Sequence, residues 1–145
     1  MTLQHEHVGA YPMALDFVRW VHSLRPQLFG RARDVRSLLD EACTTIPLHI
    51  AAGCSRNPSE DQGRFFASAH EAAMRCAALL DVLSALKALP SDTAVNGKGR
   101  VASLATKIRG LMHQIAIRDR EPVVAENSIP VAVPSNGGRP IRGLT

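Results

Sequence analysis

The sequence predicts an all-α fold: an up-down-up-down four-helix bundle followed by a non-helical C-terminal tail. Three observations predict it. Apolar residues recur at steps of three and four along four segments, which is the helical period. Gly, Pro, Asn and Ser punctuate the gaps between those segments. After residue 120 Val, Pro, Gly and Asn take over, at a proline density that no continuous helix tolerates. The 145 residues therefore divide into an N-terminal leader (1–11), one bundle domain (12–120) and a Pro/Gly-rich tail (121–145), the tail flexible or extended until a partner orders it.

The first helix is expected from Pro12 to Arg25. Proline suits a first turn, where its missing N–H is not needed. Met13, Phe17, Trp20, Val21 and Leu24 share one face. Pro26 should end or kink this helix. The second helix is expected from Asp34, a capping residue, to Cys54. Val35, Leu39, Ala42, Ile46, His49 and Gly53 step by four and three. Pro47 lies inside this run, so a bend near Cys43–Pro47 is expected rather than two helices.

Gly53 to Pro58 form the turn, and Ser59 with Gln62 makes a capping box for the third helix, Ser59 to Leu89. Its apolar series is Phe65, Ala69, Ala72, Cys76, Leu79, Leu83 and Leu86, with the roughly 3.5-residue spacing of a coiled coil. Small residues crowd its first half and let a neighbour approach closely. Phe66, Ala73 and Leu80 lie beside the series, and so wide an apolar face asks for a second neighbour, which points to self-association. The fourth helix is expected from Arg100 to Arg120, carrying Val101, Leu104, Ile108, Leu111 and Ile115. Pro90-Ser91-Asp92 and Asn96-Gly97-Lys98-Gly99 are assigned to the preceding connection. The second of these faintly resembles a phosphate loop, but it lacks Gly-Lys-Ser/Thr and a preceding strand, so it reads as a turn.

Composition narrows the function classes. Aromatics are 4%, too few for a platform that stacks single-stranded bases. No apolar run reaches the roughly 18 residues that span a bilayer. The first seven residues have neither a basic start nor an apolar core, so no secretory signal is expected. Cys43, Cys54 and Cys76 share no tight spacing and read as reduced thiols of a cytoplasmic protein. Cys54, near a helix end, is expected to be the most exposed.

No catalytic, cofactor or metal motif is found, and a non-enzymatic role follows. His5-Glu6-His7 has no third ligand nearby and reads as a mobile leader. His22, His70 and His113 lack the Glu-x-x-His signature of di-iron bundles. His49 reads as a hydrogen-bonded core or interface histidine, with a pH-sensitive contact as the sharper alternative. No base is placed beside any cysteine, so a thiol nucleophile is rejected.

The strongest surface signal is cationic. The net charge is +4, and the fourth helix carries Lys98, Arg100, Lys107, Arg109, Arg118 and Arg120. At about 100° per residue, Arg100, Lys107 and Arg118 form one stripe and Lys98, Arg109 and Arg120 another on the opposite side. One reading is a basic face for phosphates. The blander and stronger one is boundary residues that cover the seam with their stems and keep their charges in water.

The second helix reads Ala42-Cys43-Thr44-Thr45-Ile46-Pro47-Leu48-His49-Ile50-Ala51-Ala52-Gly53-Cys54-Ser55-Arg56, and the chain continues through Ser59 to Arg64-Phe65-Phe66 and Ala69. This resembles the bacterial four-helix-bundle family encoded in intervening sequences of 23S ribosomal RNA genes. Its hallmark is an alanine-rich run into Ile-Pro, then Asn-Ile-Ala-Glu-Gly, a small-residue turn and Arg, then Ser, Arg-Phe-Leu and Ala. The chain is similar, too, to the accessory variability proteins of diversity-generating retroelements. The matching positions are Ile46, Pro47, Ile50, Ala51, Gly53, Arg56, Arg64 and Phe65, within a resemblance covering Tyr11 to Arg120.

The resemblance implies a left-handed antiparallel bundle, a cytoplasmic setting and a ring-shaped homopentamer, on which the basic stripes would repeat as a belt. For the retroelement members it also implies a surface that engages RNA or DNA and a reverse transcriptase. The sequence departs from the family at His49 (Asn in the family), Ala52 (Glu) and Asp40-Glu41 (paired arginines). The last reverses the charge of one stripe and weakens the nucleic-acid reading. The function expected is an oligomeric assembly or interaction module, and the alternative is a nucleic-acid-binding accessory of a reverse transcriptase or ribosomal RNA.

Overall fold

The computed structural model describes residues 3–28, 30–56 and 60–120, except the side chains of residues 60 and 118–120. Every regular element among the described residues is helical. A short 3-10 turn, Gln4–His7, precedes five α-helices: α1 (Ala10–Ser23), α2 (Arg25–Leu28), α3 (Arg33–Cys54), α4 (Glu60–Ala85) and α5 (Ser91–Arg120). The chain divides into two units, 1–115 and 116–145. The first holds the core and the sites below. Of the second, the structure describes the last residues of α5. The tail 121–145, Ser59 of the expected capping box and the side chains of Arg118 and Arg120 lie outside the described residues.

α1 starts two residues before Pro12, leaving that proline in the first turn, where no N–H is required. It breaks at Leu24. The chain then makes the single turn of α2, with Pro26 as its second residue, and turns through Gly30, whose φ is +75°. The leader is more ordered than its composition suggests. Val8 N–H donates to the His5 carbonyl at 3.1 Å, the His5 ring meets Tyr11 edge-on at 4.5 Å, and the segment packs on α1 and α3.

α3 runs unbroken through Pro47, as the sequence predicts. Proline has no N–H to donate to the Cys43 carbonyl. Around this gap Thr44 Oγ1 donates to the Asp40 carbonyl at 2.8 Å and Thr45 Oγ1 to the Glu41 carbonyl at 2.9 Å. Such back-bonding suits a helix bend.

α4 ends at Ala85, four residues before the expected Leu89. Lys87 takes the left-handed conformation (φ 60°), Ala88 N–H reaches the Leu83 carbonyl at 2.9 Å and Lys87 N–H the Ser84 carbonyl at 2.9 Å. This pair of bonds is the Schellman ending, built here on a lysine instead of glycine.

α5 begins at Ser91, not Arg100, so Asn96-Gly97-Lys98-Gly99 is helix rather than turn. The physical reason is close packing. A β-carbon on Gly97 would lie 2.4 Å from Trp20 Cη2 and 2.6 Å from Leu80 Cδ1, so glycine here lets α5 approach both α1 and α4. Gly53 does the same between α3 and α4, where a β-carbon would lie 2.6 Å from Phe66 Cε1.

One apolar core joins α1 (Ala14, Phe17, Val21), α3 (Leu39, Ile46, Ile50), α4 (Ala69, Ala73, Cys76, Leu80, Leu83) and α5 (Val101, Leu104, Ile108). α1 packs on α3 and α3 on α4. Phe66, Ala73 and Leu80 are buried within the chain, which corrects their reading as a face awaiting another subunit. α4 lies between α3 and α5, so its buried arc is wider than a two-helix seam. Phe65 is half-buried and Leu86 exposed, the latter because it falls in the turn after α4. No helix among the described residues is long and apolar enough to cross a membrane.

Candidate functional site

The cations of α5 divide between its two flanks. On the α4 side, Lys98 Nζ is 2.8 Å from Asp81 Oδ1, and Arg109 Nη1 is 3.4 Å from His70 Nε2. On the α1 side, the Arg100 guanidinium lies 5.4 Å over the Trp20 ring while its Nε donates to Asn96 Oδ1 at 2.9 Å. Lys107 Nζ comes close to Gly9, 3.9 Å from where a β-carbon would stand. Each described cation thus brings its head group to a neighbouring segment of the chain. Among the described residues only Lys98 of the four pairs with a carboxylate, and that exposed pair contributes about 0–1 kcal/mol.

The residues that carry the family resemblance gather elsewhere. Ile46, Pro47, Ile50 and Gly53 are buried and Ala51 is half-buried, so these positions hold α3 in the core. Arg56, Arg64 and Phe65 emerge at the junction of α3 and α4. There they line a groove of about 400 Å³ with His49, Asp61 and Ser68. Gly53 sets this register, because it seats Phe66 on α3 and leaves Phe65 facing His49 and Arg56. The His49 ring meets Phe65 edge-on at 5.6 Å, and the Arg56 guanidinium lies 4.9 Å over the Phe65 ring. His49 Nδ1 is 2.8 Å from Ser68 Oγ, and Arg64 pairs with Asp61 one turn earlier. His49 is therefore hydrogen-bonded and half-buried.

This cluster offers N–H and O–H donors on an aromatic wall, the chemistry of oxyanion recognition. From sequence, Asp61 with Glu60 reads as a solvated or interface charge and Ser68 as one of the small residues of the third helix, and neither is assigned to a site. The Arg64–Asp61 pair was legible at i, i+3 spacing. The His49–Ser68 contact spans 19 residues across a helical hairpin and needs the register of α3 on α4.

The thiols are chemically quiet. Burial pushes Cys43 up to about 11 and Cys76 to about 12, and raises Cys54 as well. Cys54 is the least buried of the three, at 7% exposure, and still belongs to the core. Among the described residues no three His, Cys, Asp or Glu side chains gather as a metal site. No protein-family model matches the chain, and no curated protein matches it.

Proposed function

We propose that the chain is a non-enzymatic assembly module: a left-handed antiparallel up-down-up-down four-helix bundle of the 23S intervening-sequence family that closes into a cytoplasmic homopentamer. The register of contacts supports the antiparallel order. Residue numbers rise along α3 from His49 to Gly53 as they fall along α4 from Ser68 to Phe66. They likewise fall from Asp81 to His70 as they rise from Lys98 to Arg109. The buried, protonated thiols fit a reducing compartment.

The observation that carries self-assembly is an apolar line along the exposed side of α4 that continues into the turn after it. Met74, Ala78, Val82 and Leu86 follow one another at steps of four and are all exposed, Met74 and Val82 at 41% and Leu86 at 57%. A repeated line of this kind, satisfied by copies of itself, gives affinity through multivalency without a deep pocket. Sedimentation velocity tests the reading. Wild type should sediment as a pentamer and Val82→Glu as a monomer of unchanged helicity; a pentamer unaffected by that charge removes α4 as the interface.

A second reading, an accessory that binds RNA or DNA beside a reverse transcriptase, is favoured by one observation. Lys107 and Arg100 share the α1 flank of α5, and neither is paired with a carboxylate among the described residues. Such binding would weaken steeply from low to moderate salt, and the double change Arg100→Gln/Lys107→Gln would reduce that slope.

A further inference from the structure

The groove between α3 and α4 has a chemistry that self-assembly does not use. Arg56 is exposed, and its guanidinium lies over the Phe65 ring, 4.9 Å from the centroid, with no acceptor among the described residues. A cation–π contact uses no hydrogen-bond acceptor, so the N–H donors of this arginine stay open to a ligand. Arg64 spends one nitrogen on Asp61, and a guanidinium has five N–H donors, so others remain. Asp61 is the acidic group on the groove lining, and this pairing meets its charge. Ser68 fixes the His49 ring through Nδ1, and where the hydroxyl donates, the ring proton sits on Nε2.

We propose that this groove binds a phosphate monoester. The donors come from three side chains: Arg56 in the turn after α3, His49 on α3 and Arg64 on α4. A planar carboxylate is satisfied by one guanidinium fork, whereas a tetrahedral dianion with three free oxygens uses donors arriving from several directions. The cavity, about 400 Å³, falls within the range of roughly 300–1,000 Å³ typical of small-molecule sites. It is larger than a phosphate group needs, and the half-buried Phe65 ring borders the remaining space, where the ester's carbon skeleton would lie. The inference does not rest on the oligomer reading, since every lining residue comes from one chain.

The test uses the full chain, isotopically labelled, titrated with glycerol phosphate at constant ionic strength while arginine Nε–H and backbone amide resonances are followed. Saturable shifts are expected at Arg56, Arg64 and Ser68, with affinity about tenfold weaker in Arg56→Gln and unchanged in Arg100→Gln. Arg64→Gln is the second variant, and circular dichroism confirms that each keeps its helicity. A 5′-phosphorylated RNA trinucleotide, compared with its unphosphorylated form, tells a phosphate carried on RNA from a free metabolite. Shifts reproduced by sodium chloride alone, or binding that survives both Arg56→Gln and Arg64→Gln, would overturn the assignment.

Discussion

Gly97 of α5 lies so close to Trp20 of α1 that a β-carbon would stand 2.4 Å from the indole Cη2. Gly99, two residues on, has open space where its β-carbon would be. The two glycines should therefore respond oppositely to alanine. Gly97→Ala must displace a rigid ring and Leu80, and such overpacking costs about 1–3 kcal/mol, more than the gain of up to about 1 kcal/mol in helix propensity. Gly99→Ala keeps the gain without the clash. Urea unfolding should show a lower midpoint for the first and a higher one for the second; the same sign for both would mean that α5 is not packed tightly on α1.

Lys87 holds a left-handed conformation that an L side chain adopts at a cost of about 1 kcal/mol. Lys87→Gly should raise stability by about that amount. Arg31 Nη1 donates to the Lys87 carbonyl at 3.3 Å, and this bond involves only backbone at position 87, so it should survive. A lower urea midpoint would show that the turn is not the Schellman ending described.

Cys43 and Cys76 have thiols raised from an ordinary value of 9.0 to about 11 and about 12, chiefly by burial. The sign follows from proton counting. Between pH 9 and 11 the native state keeps protons that the unfolded state has released. Stability is thus full below pH 9 and falls as pH rises, by about 1.4 kcal/mol per pH unit for each thiol. Denaturant midpoints measured from pH 8 to 10.5 should fall more steeply for wild type than for Cys76→Ala. At pH 8 a disulfide reagent should label none of the three thiols until the chain unfolds.

Much of this architecture was legible from apolar spacing. Phe17, Val21, Leu39, Ile46, Val101, Leu104 and Ile108 all lie in the core at positions the period assigns. The misjudged elements share one cause. Gly97 reads as a turn when only its own segment is considered, and the reason for it is Trp20, some 77 positions away in the chain. Phe66, Ala73 and Leu80 look surplus to a two-helix seam, because sequence does not show that α4 is flanked on both sides. At the groove, the Arg64–Asp61 pair is local and readable, whereas the approach of His49 to Ser68 depends on the register that Gly53 and Phe66 set. Among the described α5 cations, the spacing puts Lys98 and Arg109 on one flank and Arg100 and Lys107 on another, and which partner each meets depends on α1 and α4.

The exposed line of Met74, Val82 and Leu86 stands or falls with association of the chain. Multi-angle light scattering of the purified protein at micromolar concentration measures that directly. A molar mass of five chains, unchanged on dilution through the micromolar range, is the expected result. A mass of one chain throughout would contradict it.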